Sequence, residues 1–344
     1  MVPALAVADA LRAEGAEVSF VGTRDRAEAE LVPAAGYELD FLEVAPLVGR
    51  SPIGAARSAA IAAKAVRAAR RLLRERGADA VLGGGGYVAG PVGLAASRLG
   101  LPLVITEADR HLGLTNRLLA RRARRVCLAF PIPGRAGERY IVTGRPVPAD
   151  VGHADRAGAR ERFGIAAGDR CLLVFGGSQG ARSINLAAVE AFGSDPDRGF
   201  HVLHISGRRD HAEVRELLGA AVSRYTLIDY EPGLADALAA ADLVLARSGG
   251  SIFEIAAAGR PAVLVPYPHA AGDHQRGNAT WMAEAGAAIV IEDADLDAAR
   301  LRELCTELLS DDSRLAEMAA ASASLARPDA AQRVAAEVLA TLDS

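Results

Sequence analysis

Two glycine-rich turns carry the first sign of chemistry in this chain. Cys171-Leu172-Leu173-Val174-Phe175 is an apolar run that closes on Gly176-Gly177-Ser178-Gln179-Gly180-Ala181. Ala78-Asp79-Ala80-Val81-Leu82 likewise runs into Gly83-Gly84-Gly85-Gly86-Tyr87-Val88-Ala89-Gly90-Pro91. Each reads as a buried strand feeding a helix. Glycines at such a turn let the backbone approach a ligand, and the helix start presents unpaired N–H groups at the positive end of its dipole. The guest that suits such a turn is a phosphate or pyrophosphate. One turn in each half of the chain suggests two nucleotide-fold halves that face each other.

The elements that must position these turns alternate strand and helix, the pattern of parallel sheets covered on both faces. In the first half, strands are expected near 17–21, 38–43, 79–82, 103–106 and 125–128, with helices at 3–14, 52–76, 90–99 and 112–122. In the second half, strands are expected near 171–175, 200–205, 225–228, 242–246 and 261–265. Helices there fall at 181–191, 209–218, 233–240, 250–258, 273–285 and 295–308, and 312–341 reads as two more. Gly144-Arg145-Pro146-Val147-Pro148 is a rigid, helix-breaking linker. Two domains are therefore expected, 1–148 and 149–344, with the last helix packing back on the first. The chain opens directly on a helix with Pro3 in its first turn, whereas a doubly wound domain needs a strand and its ligand loop before that helix.

Composition narrows the class. A length of 344 residues exceeds one core, and 51% apolar with 24% charged residues is ordinary for a globular protein. No window holds the roughly 18 uninterrupted apolar residues of a membrane span, and no secretory signal is visible. Cys127, Cys171 and Cys305 are far apart in or beside apolar runs, so they read as buried thiols of a reducing compartment. The net charge of −4 is uneven: residues 1–148 hold 21 basic against 14 acidic side chains, and 149–344 hold 18 against 29. The basic excess gathers in 50–76 and in 117–125. With Ile53, Ile61, Val66, Leu72 and Leu73 interleaved, the first stretch is an amphipathic basic helix suited to an anionic membrane surface. The competing reading is a solvated arginine face. The positive field is local and lacks interleaved stacking aromatics, so no nucleic-acid partner is expected.

At this point the chain resembles, over essentially its whole length, the MurG family of GT-B-fold glycosyltransferases. The resemblance rests on Gly85-Gly86-Tyr87-Val88-Ala89-Gly90-Pro91, Gly113-Leu114-Thr115-Asn116, Gly176-Gly177-Ser178-Gln179-Gly180-Ala181 and Arg247-Ser248-Gly249. Glu254-Ile255-Ala256-Ala257-Ala258-Gly259 and Asp273-His274-Gln275, followed by Asn278-Ala279, complete it. It implies an α/β GT-B fold of two Rossmann-like doubly wound domains facing a cleft. The implied activity is transfer of N-acetylglucosamine (GlcNAc) from UDP-GlcNAc, held by the C-terminal half, to lipid I, held by the N-terminal half. The acceptor, undecaprenyl-pyrophosphoryl-MurNAc-peptide, would attack through its MurNAc 4-hydroxyl in one inverting displacement. An enzyme of this kind would sit peripherally on the cytoplasmic face of the membrane.

The site residues follow by resemblance. Gly177, Ser178 and Gln179 would stabilise the charge that develops on the UDP pyrophosphate. Glu254 would accept the ribose hydroxyls, with a dipole-favoured helix-start carboxylate as the plain alternative. Arg247 and Ser248 would line the nucleotide pocket, and the backbone of Tyr230-Glu231 would read uracil. Asp273 and Gln275 would meet the GlcNAc, or else be mere helix-start residues, while Gly86, Tyr87 and Asn116 belong to the acceptor side. No cofactor is implied, and His269 and His274 lie where the family binds sugar hydroxyls rather than a metal.

The departures matter as much. The family's first loop ends in a histidine proposed for catalysis or acceptor binding. This sequence begins one residue after its place, so the expectation is a chain without that strand and loop, with an exposed sheet edge. Thr106-Glu107-Ala108-Asp109 stands where the family usually has His-Glu-Gln-Asn, and Arg276 replaces a second glutamine. Arg145 and Pro148 replace the usual Asn and Arg of the linker. The base candidates are Glu107, Asp109 or the family histidine; either acid would otherwise pair with Arg110 or the basic cluster. The competing functions are a GT-B transferase with another lipid or natural-product acceptor, and a non-catalytic UDP-sugar-binding remnant.

Overall fold

The structure, a computed structural model, describes residues 1–44, 52–177, 180–195, 198–219 and 223–342. It divides into two compact units, Met1–Pro148 together with Arg327–Ser344, and Ala149–Ala326.

The first unit runs α1 (Val2–Ala13), β1 (Ser19–Gly22), α2 (Glu28–Ala34), β2 (Glu38–Phe41), α3 (Pro52–Glu75) and β3 (Val81–Gly83). It continues with α4 (Gly86–Leu99), β4 (Leu103–Glu107), α5 (Leu114–Leu119), β5 (Arg125–Leu128) and β6 (Tyr140–Val142). All strand pairs are parallel, but they form two pieces, β1-β2 and β3-β4-β5-β6, with no described strand pairing β1 to β3. Packing, not a ladder, relates the pieces. Val21 packs with Val81 in the core beneath α3 and α4. Val18 and Leu82 pack in the core under α1.

The second unit runs α6 (Arg156–Arg162), β7 (Arg170–Phe175), α7 (Arg182–Phe192), β8 (Phe200–Ile205), α8 (His211–Leu218), β9 (Tyr225–Ile228) and α9 (Ala235–Ala240). Then come β10 (Leu243–Ala246), α10 (Ile252–Ala257), β11 (Ala262–Leu264), α11 (His274–Glu284), β12 (Ala288–Val290), α12 (Ala298–Ser310) and α13 (Asp312–Ser324). The strands form one parallel sheet in the order β12-β11-β10-β7-β8-β9. β7 and β8 are almost wholly buried, as apolar runs in a sheet covered on both faces must be. The order reverses between β7 and β10, and the crevice outside the carboxyl ends of those two strands is where a doubly wound sheet binds its ligand.

The chain then returns to the first unit as α14 (Ala330–Leu339). Ala331, Val334, Ala335 and Val338 form its buried stripe and pack with Val7 and Leu11 of α1. The i, i+3, i+4, i+7 spacing of that stripe is what lets one helix face be wholly apolar.

The sequence expectation is met for most elements, and the differences have simple causes. The short elements β6, β12, α2 and α6 lie in stretches read as connections, because three to seven residues carry too little periodicity. α4 starts at Gly86 rather than at residue 90: Gly85, with φ 82°, turns the chain early and leaves Pro91 inside the helix. Among the described residues no helix is long and apolar enough to cross a membrane.

Candidate functional site

Most of the second unit's candidate side chains gather at the β7/β10 crevice. β7 ends in Gly176 and Gly177, and the turn closes at Gly180 before α7; Ser178 and Gln179 lie outside the described residues. Gly177 and Gly180 have φ of 99° and 80°, a region closed to most L side chains. At Gly180 even the space is missing, since a Cβ would lie 2.4 Å from the Ser206 carbonyl oxygen. No side chain caps the first turn of α7, so its amides remain available to an anion.

The residues after β10 hold the facing wall. Ser248 is fully buried and donates its hydroxyl to the Gln275 carbonyl at 2.7 Å, while Asn278 Nδ2 donates to the Ser248 carbonyl at 3.0 Å. The backbone N–H of Tyr267 donates to Gln275 Oε1 at 3.0 Å, and Gln275 Nε2 lies 3.8 Å from where a Cβ on Gly249 would stand. Gln275 is thereby held through its amide oxygen. Asp273 is exposed at the start of α11 with φ 54°, a left-handed conformation that aspartate tolerates. Arg276 donates to it at 3.1 Å and also pairs with Glu292. Glu254 is half-buried in the first turn of α10.

Arg247 is turned inward. Its guanidinium donates to the carbonyls of Val265 and Pro266, both at 3.2 Å, and to Ser183 Oγ at 2.8 Å, and pairs with Asp293 at 2.6 Å. The Ser183 hydroxyl donates to the same Asp293 carboxylate at 2.7 Å. Arg247 thus ties the end of β10 to the start of α7 and to the segment after β12. Glu231 is also occupied: both its oxygens accept from Arg162, at 2.8 and 3.0 Å, and the Tyr230 N–H donates to Asp229 Oδ1 at 2.8 Å.

The first unit builds its own turn. Gly84 to Gly86 lead from β3 into α4, whose first turn no side chain caps. Asn116 sits 3.7 Å from where a Cβ on Gly85 would be. Its Nδ2 donates to the Thr106 carbonyl and to Glu107 Oε2, both at 2.9 Å, and its Oδ1 is buried without a partner. Tyr87 is exposed at 49%, with the Arg26 guanidinium 5.4 Å from its ring centroid.

The two acids at the end of β4 differ sharply. Glu107 is buried and accepts four N–H groups: Ala108 and Asp109 on Oε1 at 2.9 and 3.2 Å, Gly113 and Asn116 on Oε2 at 2.9 Å each. Asp109 is half-buried, and no described donor bonds its carboxylate. Neither acid pairs with Arg110, whose guanidinium lies 6.0 Å from the Phe130 ring centroid. Beside this turn, Leu114 and Leu118 of α5 are exposed at 59% and 58%. Arg117, Arg121, Arg122 and Arg135 line one groove with Leu118. A second arginine group, Arg67, Arg70, Arg71 and Arg74, lies along α3; Arg50 and the side chain of Arg57 fall outside what the structure describes.

Sequence reasoning passed over the buried polar groups behind the second-unit turn. Asn185, His204 and Asp210 are all buried. Burial lowers the His204 imidazole to about 3 and His201 to about 4. The usable signal was two histidines in the otherwise apolar Phe200-His201-Val202-Leu203-His204-Ile205. Among the described residues, no three His, Cys, Asp or Glu side chains gather as a metal site.

Comparison with known proteins places these features in a family. Residues 171–334 match the glycosyltransferase family 28 C-terminal domain, and residues 1–128 match the family's N-terminal domain. A protein of Halorhodospira halophila is 43% identical over 97% of this chain and 92% of its own. One of Moorella thermoacetica is 40% identical over 99% and 96%. Both carry the name UDP-N-acetylglucosamine–N-acetylmuramyl-(pentapeptide) pyrophosphoryl-undecaprenol N-acetylglucosamine transferase. The crystal structure of Acinetobacter baumannii MurG is similar with a TM-score of 0.77 and 31% identity, covering 98% of this chain and 95% of that one.

Proposed function

We infer the activity from one premise: this chain belongs to glycosyltransferase family 28, within the MurG family, and has its α/β GT-B fold. It is a hexosyltransferase that moves GlcNAc from UDP-GlcNAc to the MurNAc of lipid I, giving lipid II for peptidoglycan synthesis. The observation that carries the donor reading is the glycine turn at the β7/β10 switch point, with an uncapped helix behind it. The UDP pyrophosphate sits against that turn, so its amides meet negative charge as it builds on the leaving group. Glu254 accepts from the ribose, the Tyr230-Glu231 backbone reads uracil, and Asp273 and Gln275 hold the sugar. Arg247 and Ser248 act behind the pocket, as braces for the segments that contact the nucleotide.

The acceptor belongs to the first unit. Its pyrophosphate faces the Gly84–Gly86 turn beside Asn116 and Tyr87. The MurNAc 4-hydroxyl attacks the anomeric carbon as the bond to the UDP oxygen breaks, which inverts the configuration. Asp109 takes the hydroxyl proton. Glu107 has no acceptor capacity to spare and instead shapes the loop from 108 to 113 that carries Asp109. The exposed Leu114 and Leu118 within their arginine rim lie on an anionic membrane surface, where each basic group contributes about 1 kcal/mol.

Calorimetric titration with UDP-GlcNAc tests the donor half. Wild-type protein binds UDP-GlcNAc, and Glu254→Gln weakens binding roughly tenfold through the loss of one charge-assisted contact. Equal binding by the variant removes Glu254 from the site.

A further inference from the structure

The turn that receives the pyrophosphate rests on a buried hydrogen-bond chain whose direction is fixed throughout. Tyr225 Oη is 2.8 Å from His204 Nδ1, and His204 Nε2 is 3.0 Å from Asn185 Oδ1. Asn185 Nδ2 donates to the Ser206 carbonyl at 2.9 Å and to Asp210 Oδ2 at 3.1 Å. Because the Asn185 amide nitrogen already donates, its oxygen must accept, so His204 carries its proton on Nε2. His204 Nδ1 is then a bare acceptor, and the Tyr225 hydroxyl supplies the proton it faces.

A second chain runs beside the first with the same consistency. Arg215 donates to His211 Nε2 at 2.9 Å, so His211 Nδ1–H points to Ser206 Oγ at 2.9 Å, and that hydroxyl donates to the Ile228 carbonyl at 3.2 Å. Both chains reach Ser206 and the first also reaches Asp210, the two groups beside Gly180: a Cβ there would lie 2.4 Å from the Ser206 oxygen and 2.9 Å from Asp210 Oδ2. Asn185 also sits in the second turn of α7, with its backbone N–H on the Ala181 carbonyl at 2.9 Å. It therefore ties the helix start, the end of β8 and the floor under Gly180 into one unit.

We propose that His204 is a positioning residue for the donor, which fixes the Asn185 amide and through it the Gly180 end of the pyrophosphate turn. The inference rests on the reading of that turn as the donor pyrophosphate site. Without the His204 proton the buried Asn185 Oδ1 has no donor, although its Nδ2 still faces the Ser206 carbonyl and the Asp210 carboxylate. An amide that shifts to find another donor draws away from those two acceptors, and the turn loses its floor. The consequence falls on UDP-sugar binding, because Gly180, Ser206 and Asp210 lie at the turn read as the donor pyrophosphate site.

The test compares His204→Met, which removes both ring nitrogens at similar volume, with His204→Gln, whose amide can donate to Asn185 and accept from Tyr225. UDP affinity is measured by calorimetry, and the Michaelis constants for UDP-GlcNAc and a lipid I analogue are measured separately. The expected result for His204→Met is UDP affinity and donor KM each worse by roughly tenfold, the worth of one buried hydrogen bond, at unchanged acceptor KM. His204→Gln recovers most of that loss, and Tyr225→Phe gives a smaller change of the same kind. Wild-type UDP affinity in His204→Met overturns the proposal, as does an equal rise in both Michaelis constants or a Gln variant no better than Met. If His204→Met does not fold, Tyr225→Phe and His204→Gln decide by the same split between donor and acceptor. Failure of the wild-type protein to bind UDP instead overturns the reading of the turn itself.

Discussion

Substituting Glu107 by Gln changes one atom and separates a structural carboxylate from a catalytic one. Glu107 accepts four N–H groups, two on each oxygen, and three of them come from the backbone of the segment that leads to α5. A glutamine keeps one oxygen, so whichever way it turns, its NH2 faces two donors that then lack an acceptor. Each buried donor left unmet costs about 1–3 kcal/mol, so about 3 kcal/mol is a reasonable centre for the pair. For a domain of 150–250 residues that corresponds to a fall in Tm of roughly 6–12 °C. The assay pairs thermal unfolding with kcat measured well below the lowered Tm, for Glu107→Gln and Asp109→Asn side by side. Glu107→Gln is expected to lose stability, and Asp109→Asn to keep its Tm while kcat falls by roughly 100-fold or more, the usual worth of a general base. A Glu107→Gln protein with wild-type Tm and collapsed kcat would return the base to Glu107.

Three further outcomes follow from the same structure. Asp293→Asn leaves the largely buried Arg247 with a weakened partner; Tm is expected to fall and donor KM to rise, and an unchanged KM would show that Arg247 braces nothing the nucleotide feels. His204 stays neutral down to about 3, whereas an unfolded histidine takes up a proton near 6.5; the unfolded chain therefore binds the extra proton, and stability falls as pH drops below about 6.5. The loss from pH 7 to pH 5 is about 2 kcal/mol, seen as a lower urea midpoint that His204→Gln makes less pH-dependent. Asp substitution at both Leu114 and Leu118 is expected to reduce sedimentation with anionic vesicles while leaving UDP affinity unchanged; undiminished sedimentation would move the membrane face elsewhere.

Much of this was legible in the residues because the fold repeats one device. An apolar run followed by glycines specifies a buried parallel strand and a ligand turn, and β7 with Gly176 and Gly180 follows that rule closely. The charge asymmetry was equally readable, whereas the exposed Leu114 and Leu118 of α5 emerge only in the structure. What escaped the sequence was commitment of side chains. Arg247 and Ser248 carry types suited to a ligand, yet both spend their donors inward, because burial demands that each polar group find a partner. Glu107 and Asp109 look alike two residues apart, and only the backbone of 108–113 folding over Glu107 tells them apart. The first unit, expected to lack one strand and expose a sheet edge, holds two ladders, β1-β2 and β3–β6, with no described strand between them. Elements as short as β12 leave no periodicity to read.

We propose that GlcNAc transfer by this chain has the donor at the second-unit turn and the proton taken by Asp109. Transfer of radiolabelled GlcNAc from UDP-GlcNAc to a short-chain lipid I analogue measures it directly. Labelled lipid II analogue is expected from the wild-type chain, and roughly 100-fold less from Asp109→Asn with undiminished UDP affinity. UDP-GlcNAc bound without any transfer, or full transfer by Asp109→Asn, would contradict it.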